Sequence, residues 1–303
     1  MAAVRETATP EVSGWRVWRL AARPRTLPVA FAPVLVGTAL AASAGCFRPL
    51  PALATLAAAL LLQIGANLAN DLFDHERGAD GADRLGPPRA MQHGLVTASR
   101  MRGTIAAVFG AAVAIGAYLV AVGGWPIAAI GLLSVAAGLS YTGGPWPFGY
   151  RGLGDVAVFV FFGLVAVCGS YYVQALALTP RVLASALPIG AMATAILVVN
   201  NLRDIHSDAR VGKRTLAVRV GPRATRVEYV GLLVFAYALL VAFWLLDAAS
   251  AWILLPLATV PRALRLVRVV TVSADGSALN EALAATAQLS LMFALLFSAG
   301  WLL

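Results

Sequence analysis

The chain has 303 residues, of which 60% are hydrophobic and 12% are charged, and its mean hydropathy is +0.81. A soluble domain carries about 25% charged residues, so this composition excludes an ordinary soluble protein. The net charge of +9 does not indicate nucleic-acid binding, because the basic residues lie between apolar segments, where membrane proteins use them to fix orientation. We therefore expect an all-α integral membrane protein in a lipid bilayer.

Apolar segments of about 20 residues, long enough to cross a bilayer, recur along the chain. Pro256 and Pro261 interrupt the eighth of them. We expect residues 1–15 to form a disordered tail and residues 16–303 to form one membrane domain. The segments predict about nine transmembrane helices, at 26–45, 50–70, 101–121, 124–141, 153–175, 182–202, 227–246, 250–269 and 280–303.

Basic residues concentrate in alternate loops of this arrangement. When the N-terminus is assigned to the cytoplasm, only Arg48 and Arg181 of the 23 Lys and Arg residues fall on the outer side. The positive-inside rule therefore predicts a cytoplasmic N-terminus. Helices two and six run parallel, since an even number of crossings separates them, and both end at the cytoplasmic face. The preference for Arg over Lys and the abundance of Ala indicate a bacterial protein of the cell (plasma) membrane.

Half of the 14 acidic residues lie in two segments at these helix ends, Asn67–Asp83 and Asn200–Lys213. Each segment contains one pair of Asp residues, spaced by three positions in the first and by four in the second, that projects from one face of a helix. Carboxylates at a membrane boundary are costly unless they are paired or functional, so solvated loop charges are the less favoured interpretation. The carboxylates expected to converge are Asp71, Asp74, Asp204 and Asp208.

The chemistry of these segments indicates a magnesium–diphosphate site. The three His residues are scattered, and no His or Cys arrangement suits zinc. Carboxylate oxygens suit Mg²⁺ that also binds substrate phosphates, and no Walker-type loop is present to hold a nucleotide. Such a site beside an apolar bundle favours ionisation of an allylic diphosphate with a polyisoprenoid tail, and hence prenyl transfer. Cations suited to phosphate lie next to the Asp residues: Arg84, Arg89, Arg203 and Lys213, the last being the only lysine.

With these two Asp-rich segments, the sequence resembles the UbiA superfamily of intramembrane prenyltransferases. Asn67, Asn70, Asp71 and Asp74 match its first Asp-rich motif, and the pair at 204 and 208 matches the second. The branch that prenylates 1,4-dihydroxy-2-naphthoate is the more similar, because the acid that often stands at position 78 is here found at Asp80. Four segments carry this resemblance: Arg23–Pro28 with Val36–Thr38; Gly78–Pro87 with Arg89–Gln92; Tyr141–Pro145 with Gly149–Asp155; and Asn200–Asp204 through Gly212–Leu216.

The resemblance implies a ring of nine helices around a central cavity with cytoplasmic cap loops. It also implies transfer of a polyprenyl group from polyprenyl diphosphate to 1,4-dihydroxy-2-naphthoate, with release of diphosphate and CO2. The implied metal site holds two Mg²⁺ ions on Asp71, Asp74, Asp204 and Asp208, with Asp80 as a further ligand. The implied substrate contacts are Asn67, Arg84, Arg89, Asn201, Arg203 and Lys213.

Several positions keep two interpretations. Arg23 or Arg25 either pairs with the naphthoate carboxylate, a geometry that suits guanidinium, or anchors the start of the first helix. Tyr141 either faces the prenyl cation as a catalytic residue or is an interfacial anchor. Asp155 either caps the fifth helix or takes part in catalysis. The Phe159–Phe162 cluster either faces lipid or packs in the interior, or it lines the prenyl channel.

Two other functions stay open from the sequence. One is prenylation of a different aromatic acceptor, such as 4-hydroxybenzoate or homogentisate. The other is secondary transport. Transporters usually bind their solutes near the membrane midplane on interrupted helices, whereas the Asp residues here stand at helix ends on one face. That difference favours the enzyme.

Overall fold

The computed structural model describes residues 14–79, 86, 89–246 and 250–303. Within this part of the chain the protein is helical and has no β-strand. Short 3₁₀ turns occur at Pro24–Thr26, Phe148–Arg151 and Ala251–Thr259. The helices are α1 (Gly14–Ala22), α2 (Pro28–Ser43), α3 (Pro49–Glu76), α4 (Ala98–Gly123), α5 (Trp125–Ser140), α6 (Gly154–Ala175), α7 (Pro180–Arg210), α8 (Leu216–Leu246), α9 (Val260–Val272) and α10 (Gly276–Leu302).

The predicted apolar segments are all helical, but fewer than nine of them meet the length and composition expected of a membrane span. Six helices of the described residues, α3, α4, α6, α7, α8 and α10, are long and apolar enough to cross a membrane. A seventh span results if α1 and α2, bent by 52°, are counted together. Helix α5 has only 16 residues, about 24 Å at ~1.5 Å per residue, against a hydrocarbon core of about 30 Å.

The eighth predicted helix, 250–269, is divided into two pieces. Its first part, Ala251–Thr259, is a 3₁₀ segment that contains Pro256. Its second part, α9, is short and carries three arginines. Proline removes a backbone donor and breaks the α-helical ladder, which explains the interruption. Residues 1–13 of the predicted tail lie outside the described residues, and α1, which begins at Gly14, has no counterpart among the predicted helices.

Helix α7 is the central element of the fold. In its most apolar window 78% of the residues are buried, against 22–50% for the other spans. A helix that is apolar on all sides belongs in an interior. It packs against α8, α10 and α6 in the main core. There Phe297 and Trp301 pack against Phe243, and Phe293 packs against Phe297. A second core joins α1, α3 and α4.

Helices α6 and α7 approach each other closely at two glycines. A Cβ on Gly163 would lie 2.7 Å from the Gly190 Cα, and one on Gly190 would lie 2.9 Å from the Phe159 carbonyl oxygen. Small residues at such contacts let membrane helices pack backbone to backbone. The α6 side of the contact is π-helical over Phe159–Val165, a departure from α-geometry that often marks functional regions.

Candidate active site

A cavity of about 870 Å³ runs along the inner faces of the helices. Thr55 and Asp74 both line it. Since an α-helix rises ~1.5 Å per residue, the cavity extends roughly 28 Å along α3. Most of its wall is apolar, and it includes Phe161 and Phe162 of the π-helical segment. Its polar residues concentrate at one end, to which the C-terminal parts of α3 and α7 both contribute.

The two Asp segments come together at this end, as their spacing and parallel helices predict. Asp74 from α3 and both Asp204 and Asp208 from α7 line the cavity. Asp71 is buried beside them, but it is not among the lining residues; its Oδ2 accepts a hydrogen bond of 3.2 Å from the Ala90 N–H. The first motif therefore directs one carboxylate at the cavity and one at the segment that follows α3.

Asp74 is held through both of its carboxylate oxygens. Arg89 Nη1 lies 2.6 Å from Oδ2 in a buried ion pair. The hydroxyl of Tyr150 donates to Oδ1 at 2.8 Å. Arg89 also donates to the Asn70 carbonyl at 3.3 Å, so it ties the segment after α3 to the helix end. Arg89 lines the cavity, within reach of a bound anion.

Asp204 is held by its neighbour Arg203 in a two-pronged contact. Arg203 Nε lies 2.8 Å from Oδ1 and Nη2 lies 2.5 Å from Oδ2. The same guanidinium donates to the side-chain oxygens of Asn200 at 2.9 Å and of Asn280, on α10, at 2.6 Å. Arg203 is only 4% exposed and is not a lining residue. Its contacts are thus intramolecular, whereas the sequence predicts a substrate contact for it.

Asp208 has the most available carboxylate oxygen of the second motif. Lys213 Nζ lies 3.4 Å from its Oδ1. Its Oδ2 is buried and has no hydrogen-bond partner among the residues that the structure describes. Lys213 and Asn201 both line the cavity next to it. A buried carboxylate oxygen without a partner is costly, and it is the kind of atom that a metal ion would satisfy.

A third loop, residues 141–153, completes this end of the cavity. Tyr141 lines the cavity and packs edge-on against Phe148, with ring centroids 5.4 Å apart. Burial, and then the negative charges of Asp155 and Asp74, raise the pKa of Tyr141 above its usual range, so its hydroxyl keeps its proton. Asp155 is buried but does not line the cavity.

Tyr150 is the site residue that sequence reasoning missed. Burial and the adjacent Asp74 carboxylate raise the pKa of Tyr150, which therefore remains a hydrogen-bond donor to that carboxylate. Its contact residues come from segments far away in the sequence, and no periodic pattern marks it. The only signal was its position inside the Gly149–Asp155 segment that carries the family resemblance.

Asn67 and Arg23 line the cavity at the turn between α1 and α2. The Asn67 side-chain amide donates to the Ala22 carbonyl at 3.1 Å and to the Thr26 hydroxyl at 3.0 Å, so it holds the turn between α1 and α2. Arg23 stands in this turn with a left-handed backbone, φ 51°, and lines the cavity. Arg25 is exposed and is not a lining residue. The structure thus separates the two arginines that the sequence treats as equivalent.

The donor set of this site fits Mg²⁺ by its chemistry. It consists of carboxylate and amide oxygens, with one buried Asp208 oxygen lacking a hydrogen bond. Within the described ranges, no three His, Cys, Asp or Glu residues are close enough together to hold a metal as they stand. The carboxylates are held by Arg89, Arg203, Lys213 and Tyr150 instead. Asp80 and Arg84 lie outside the described residues.

Acidic residues at one end of a long apolar cavity in a helical membrane protein define the class of intramembrane enzymes that act on amphiphilic substrates. Residues 30–297 match the model of the UbiA prenyltransferase family. The chain belongs to the UbiA prenyltransferase family, and it is a multi-pass membrane protein. The family resemblance found in the sequence motifs is therefore confirmed.

Full-length relatives and solved structures agree with this assignment. The chain is 41% identical to 1,4-dihydroxy-2-naphthoate octaprenyltransferase of Escherichia coli over 296 residues, a region that covers 96% of each of the two chains. It is 43% identical over 248 residues to the protein of the same name from Mycobacterium tuberculosis, covering 82% of this chain and 84% of the relative. A UbiA homolog from Archaeoglobus fulgidus, solved with DMAPP and Mg²⁺, has the same fold, with a TM-score of 0.65 at 16% identity over 94% of this chain and 98% of that one.

Proposed function

We propose that this protein transfers a polyprenyl group from polyprenyl diphosphate to 1,4-dihydroxy-2-naphthoate. The C1–O bond of the prenyl diphosphate breaks, diphosphate leaves with the electron pair, the isoprenoid C1 bonds to the ring, and the ring carboxylate departs as CO2. The observation that carries the proposal is the meeting of Asp74, Asp204 and Asp208 at one end of an apolar cavity about 28 Å long. The relatives named for this acceptor support it over nearly the full chain.

The diphosphate end would hold divalent metal, and we propose two Mg²⁺ ions on Asp71, Asp74, Asp204 and Asp208, with Asp80 as a further ligand. Bound Mg²⁺ would neutralise the charge of the departing diphosphate. The homolog solved with DMAPP and Mg²⁺ supports a divalent metal in a site of this fold.

The cations of the site would bind the diphosphate itself. Lys213, Asn201 and Arg89 line the cavity beside the carboxylates, and we propose that they donate to the diphosphate. Arg203 would act by orienting Asp204, to which it is bonded through two nitrogens. We propose Arg84 and Asn67 as further contacts. The amide nitrogen of Asn67 already donates to the turn between α1 and α2, and its side-chain oxygen accepts from the Gln63 amide at 3.5 Å. This oxygen cannot donate a hydrogen bond, so Asn67 would contact the diphosphate through a Mg²⁺ ion.

The prenyl cation would form against an aromatic wall. Tyr141, Phe161 and Phe162 line the cavity on the side of α5 and α6. Aromatic faces attract cations, and an apolar cavity excludes the water that would otherwise capture the carbocation. Since the Tyr141 hydroxyl keeps its proton, this ring offers its face without becoming a phenolate nucleophile.

Arg23 is our candidate for binding the acceptor carboxylate. It lines the cavity, whereas Arg25 is exposed and is not a lining residue. A non-glycine residue with a left-handed backbone costs about 1–3 kcal/mol, and such strain concentrates at functional positions. We expect Arg23→Ala to raise the KM for the naphthoate and Arg25→Ala, the matched control, to leave it unchanged. An unchanged KM in the Arg23 variant would remove this role.

The topology that accompanies this function has nine spans, with a cytoplasmic N-terminus and the Asp residues on the cytoplasmic side of the cell membrane, capped by the loops. This counts α5 and the interrupted segment Ala251–Thr259 with α9 as spans in addition to the seven that meet the length criterion. The distribution of Lys and Arg supports the orientation, since only Arg48 and Arg181 fall outside. Cysteine accessibility from each side of intact vesicles tests it.

The acceptor is tested by incubating membranes that contain the protein with labelled prenyl diphosphate and one aromatic acid at a time. We expect a prenylated product with 1,4-dihydroxy-2-naphthoate and none with 4-hydroxybenzoate or homogentisate. Product with 4-hydroxybenzoate alone would refute the acceptor. Solute movement across vesicles without diphosphate release from any prenyl substrate would refute the enzyme and support a transporter.

A further inference from the structure

Tyr150 connects the two Asp segments of the site. It stands in the 3₁₀ turn Phe148–Arg151, between α5 and α6, outside both segments. Its hydroxyl donates to Asp74 Oδ1 at 2.8 Å. The Lys213 ammonium lies 5.5 Å from the centroid of its ring, and the same ammonium lies 3.4 Å from Asp208 Oδ1. One side chain therefore contacts a carboxylate of the first motif and the cation of the second.

The turn that carries Tyr150 is fixed on both sides. The backbone carbonyl oxygen of Tyr150 accepts a hydrogen bond of 3.0 Å from the N–H of Arg214, the residue after Lys213. Arg77, just after α3, lies 5.4 Å from the ring centroid and donates to the carbonyls of Thr142 and Gly144 at 3.1 and 2.8 Å. The ring position is thus defined by segments that follow α3, α5 and α7.

The hydrogen bond from Tyr150 orients the Asp74 carboxylate and leaves lone pairs on both of its oxygens available. Oδ1 accepts from Tyr150 and Oδ2 accepts from Arg89, and each carboxylate oxygen has about two lone pairs. One lone pair on each oxygen thus remains for a metal ion. The hydroxyl can only donate in this pair, because an ionised carboxylate only accepts.

We propose that Tyr150 is a positioning residue that aligns Asp74 and Lys213, and with them the two halves of the metal–diphosphate site. This inference rests on the proposed function, since it takes Asp74 as a metal ligand. Partners that hold the ligands of a metal site are worth about 10–100-fold in metal affinity. A cation over an aromatic face is likewise held in place by the ring.

Two substitutions separate the hydroxyl from the ring. Tyr150→Phe keeps the ring beside Lys213 and removes only the bond to Asp74. Tyr150→Leu removes both. Tyr237→Phe is the matched control, because it deletes a partly buried tyrosine hydroxyl that is hydrogen-bonded to Thr259 at 2.6 Å, away from both Asp segments. Thermal unfolding of each purified full-length variant in detergent reports any general loss of structure.

The measurement is Mn²⁺ binding, followed by the electron paramagnetic resonance of free Mn²⁺, with a non-hydrolysable prenyl thiodiphosphate present and no acceptor. We expect Tyr150→Phe to weaken Mn²⁺ binding about tenfold or more at an unchanged unfolding temperature. Tyr150→Leu should in addition weaken binding of the thiodiphosphate, because Lys213 loses its support. Tyr237→Phe should change neither.

Mn²⁺ affinity within twofold of the unaltered protein in Tyr150→Phe, or tighter binding, would overturn the inference. An equal loss in Tyr237→Phe would overturn it too, as would the absence of Mn²⁺ binding by the unaltered protein. If Tyr150→Leu fails to fold, Tyr150→Phe still decides, since it lacks a single oxygen atom. Formation of the prenylated naphthoate is measured in a separate assay. A wrong acceptor assignment would therefore change that assay and leave the Mn²⁺ binding result unaffected.

Discussion

Removing the guanidinium of Arg203 should be the most destabilising single change at the polar end of the cavity. Arg203→Ala deletes four hydrogen bonds, two to Asp204 and one each to Asn200 and Asn280. The side chains of the ion pair are only 2% and 11% exposed. Breaking a buried ion pair by removing one partner costs about 3–5 kcal/mol, because the other charge stays in a medium of low dielectric constant.

Arg102→Ala provides the matched control. Arg102 also pairs with a carboxylate, that of Glu76, and the distance is 2.6 Å, but these side chains are 65% and 35% exposed. An exposed pair contributes about 0–1 kcal/mol, since water screens it. The two substitutions remove the same group from ion pairs of 2.5 and 2.6 Å that differ in burial and in the number of hydrogen bonds lost.

Unfolding of the purified variants by sodium dodecyl sulfate, followed by tryptophan fluorescence, measures the two free-energy changes. We expect Arg203→Ala to lose about 3 kcal/mol more than Arg102→Ala. Mg²⁺ with a prenyl thiodiphosphate should restore part of the loss, because a ligand that binds only the folded state stabilises it and the metal supplies positive charge next to Asp204. Equal losses in the two variants would refute the reasoning from burial.

Three further substitutions test other parts of the structure. Gly163→Ala puts a Cβ 2.7 Å from the Gly190 Cα and should destabilise the protein by about 1–3 kcal/mol, which would lower its unfolding temperature. Gly110→Ala is the control, because a Cβ there has no atom within 4 Å and should leave the unfolding temperature unchanged. Similar unfolding temperatures for the two variants would contradict the close contact. Asp208→Asn should slow diphosphate release about tenfold or more, because it removes the charge of a proposed Mg²⁺ ligand. The unfolding temperature should change little, because Asp208 Oδ2 has no hydrogen-bond partner in the described part of the chain. An unchanged rate of diphosphate release would argue against a ligand role. Asn67→Ala loses two hydrogen bonds to the α1–α2 turn, about 1–3 kcal/mol. It should raise the KM for the acceptor, because that turn carries Arg23, and the KM for the prenyl diphosphate, because Asn67 is a proposed contact at the diphosphate end; steady-state kinetics in which both values stay unchanged would contradict these roles.

The sequence was sufficient to predict which residues converge. Helix periodicity puts Asp71 with Asp74 and Asp204 with Asp208, and an even number of crossings brings the two helix ends to one side. These are short-range rules that do not depend on how the helices pack. The structure agrees with them, except that Asp71 turns towards Ala90 and away from the cavity.

The partners of these residues could not be predicted in the same way. Arg203 suits phosphate and carboxylate equally well, because its planar fork matches both. Only the three-dimensional arrangement shows that the Arg203 guanidinium is hydrogen-bonded to Asp204 and to Asn280, which lies far along the chain. Tyr150 was missed for the same reason, since its contacts depend on loops that have no sequence period.

Each carboxylate that lines the cavity is matched here by one cation: Asp74 by Arg89, and the pair of α7 by Arg203 and Lys213. In the proposed complex, Mg²⁺ would take up the carboxylates, and Arg89 and Lys213 would be left to face the negative diphosphate. The net charge of the buried region would change little, because the metal and the diphosphate bring opposite charges. Since buried charge is costly unless it is balanced, such a site favours the joint binding of metal and diphosphate over the binding of either alone. A balanced exchange of this kind needs the charged ends of Arg89 and Lys213 to change partners while the carboxylates stay in place. Tyr150 would serve it by holding Asp74 through its hydroxyl and by keeping the Lys213 ammonium beside its ring.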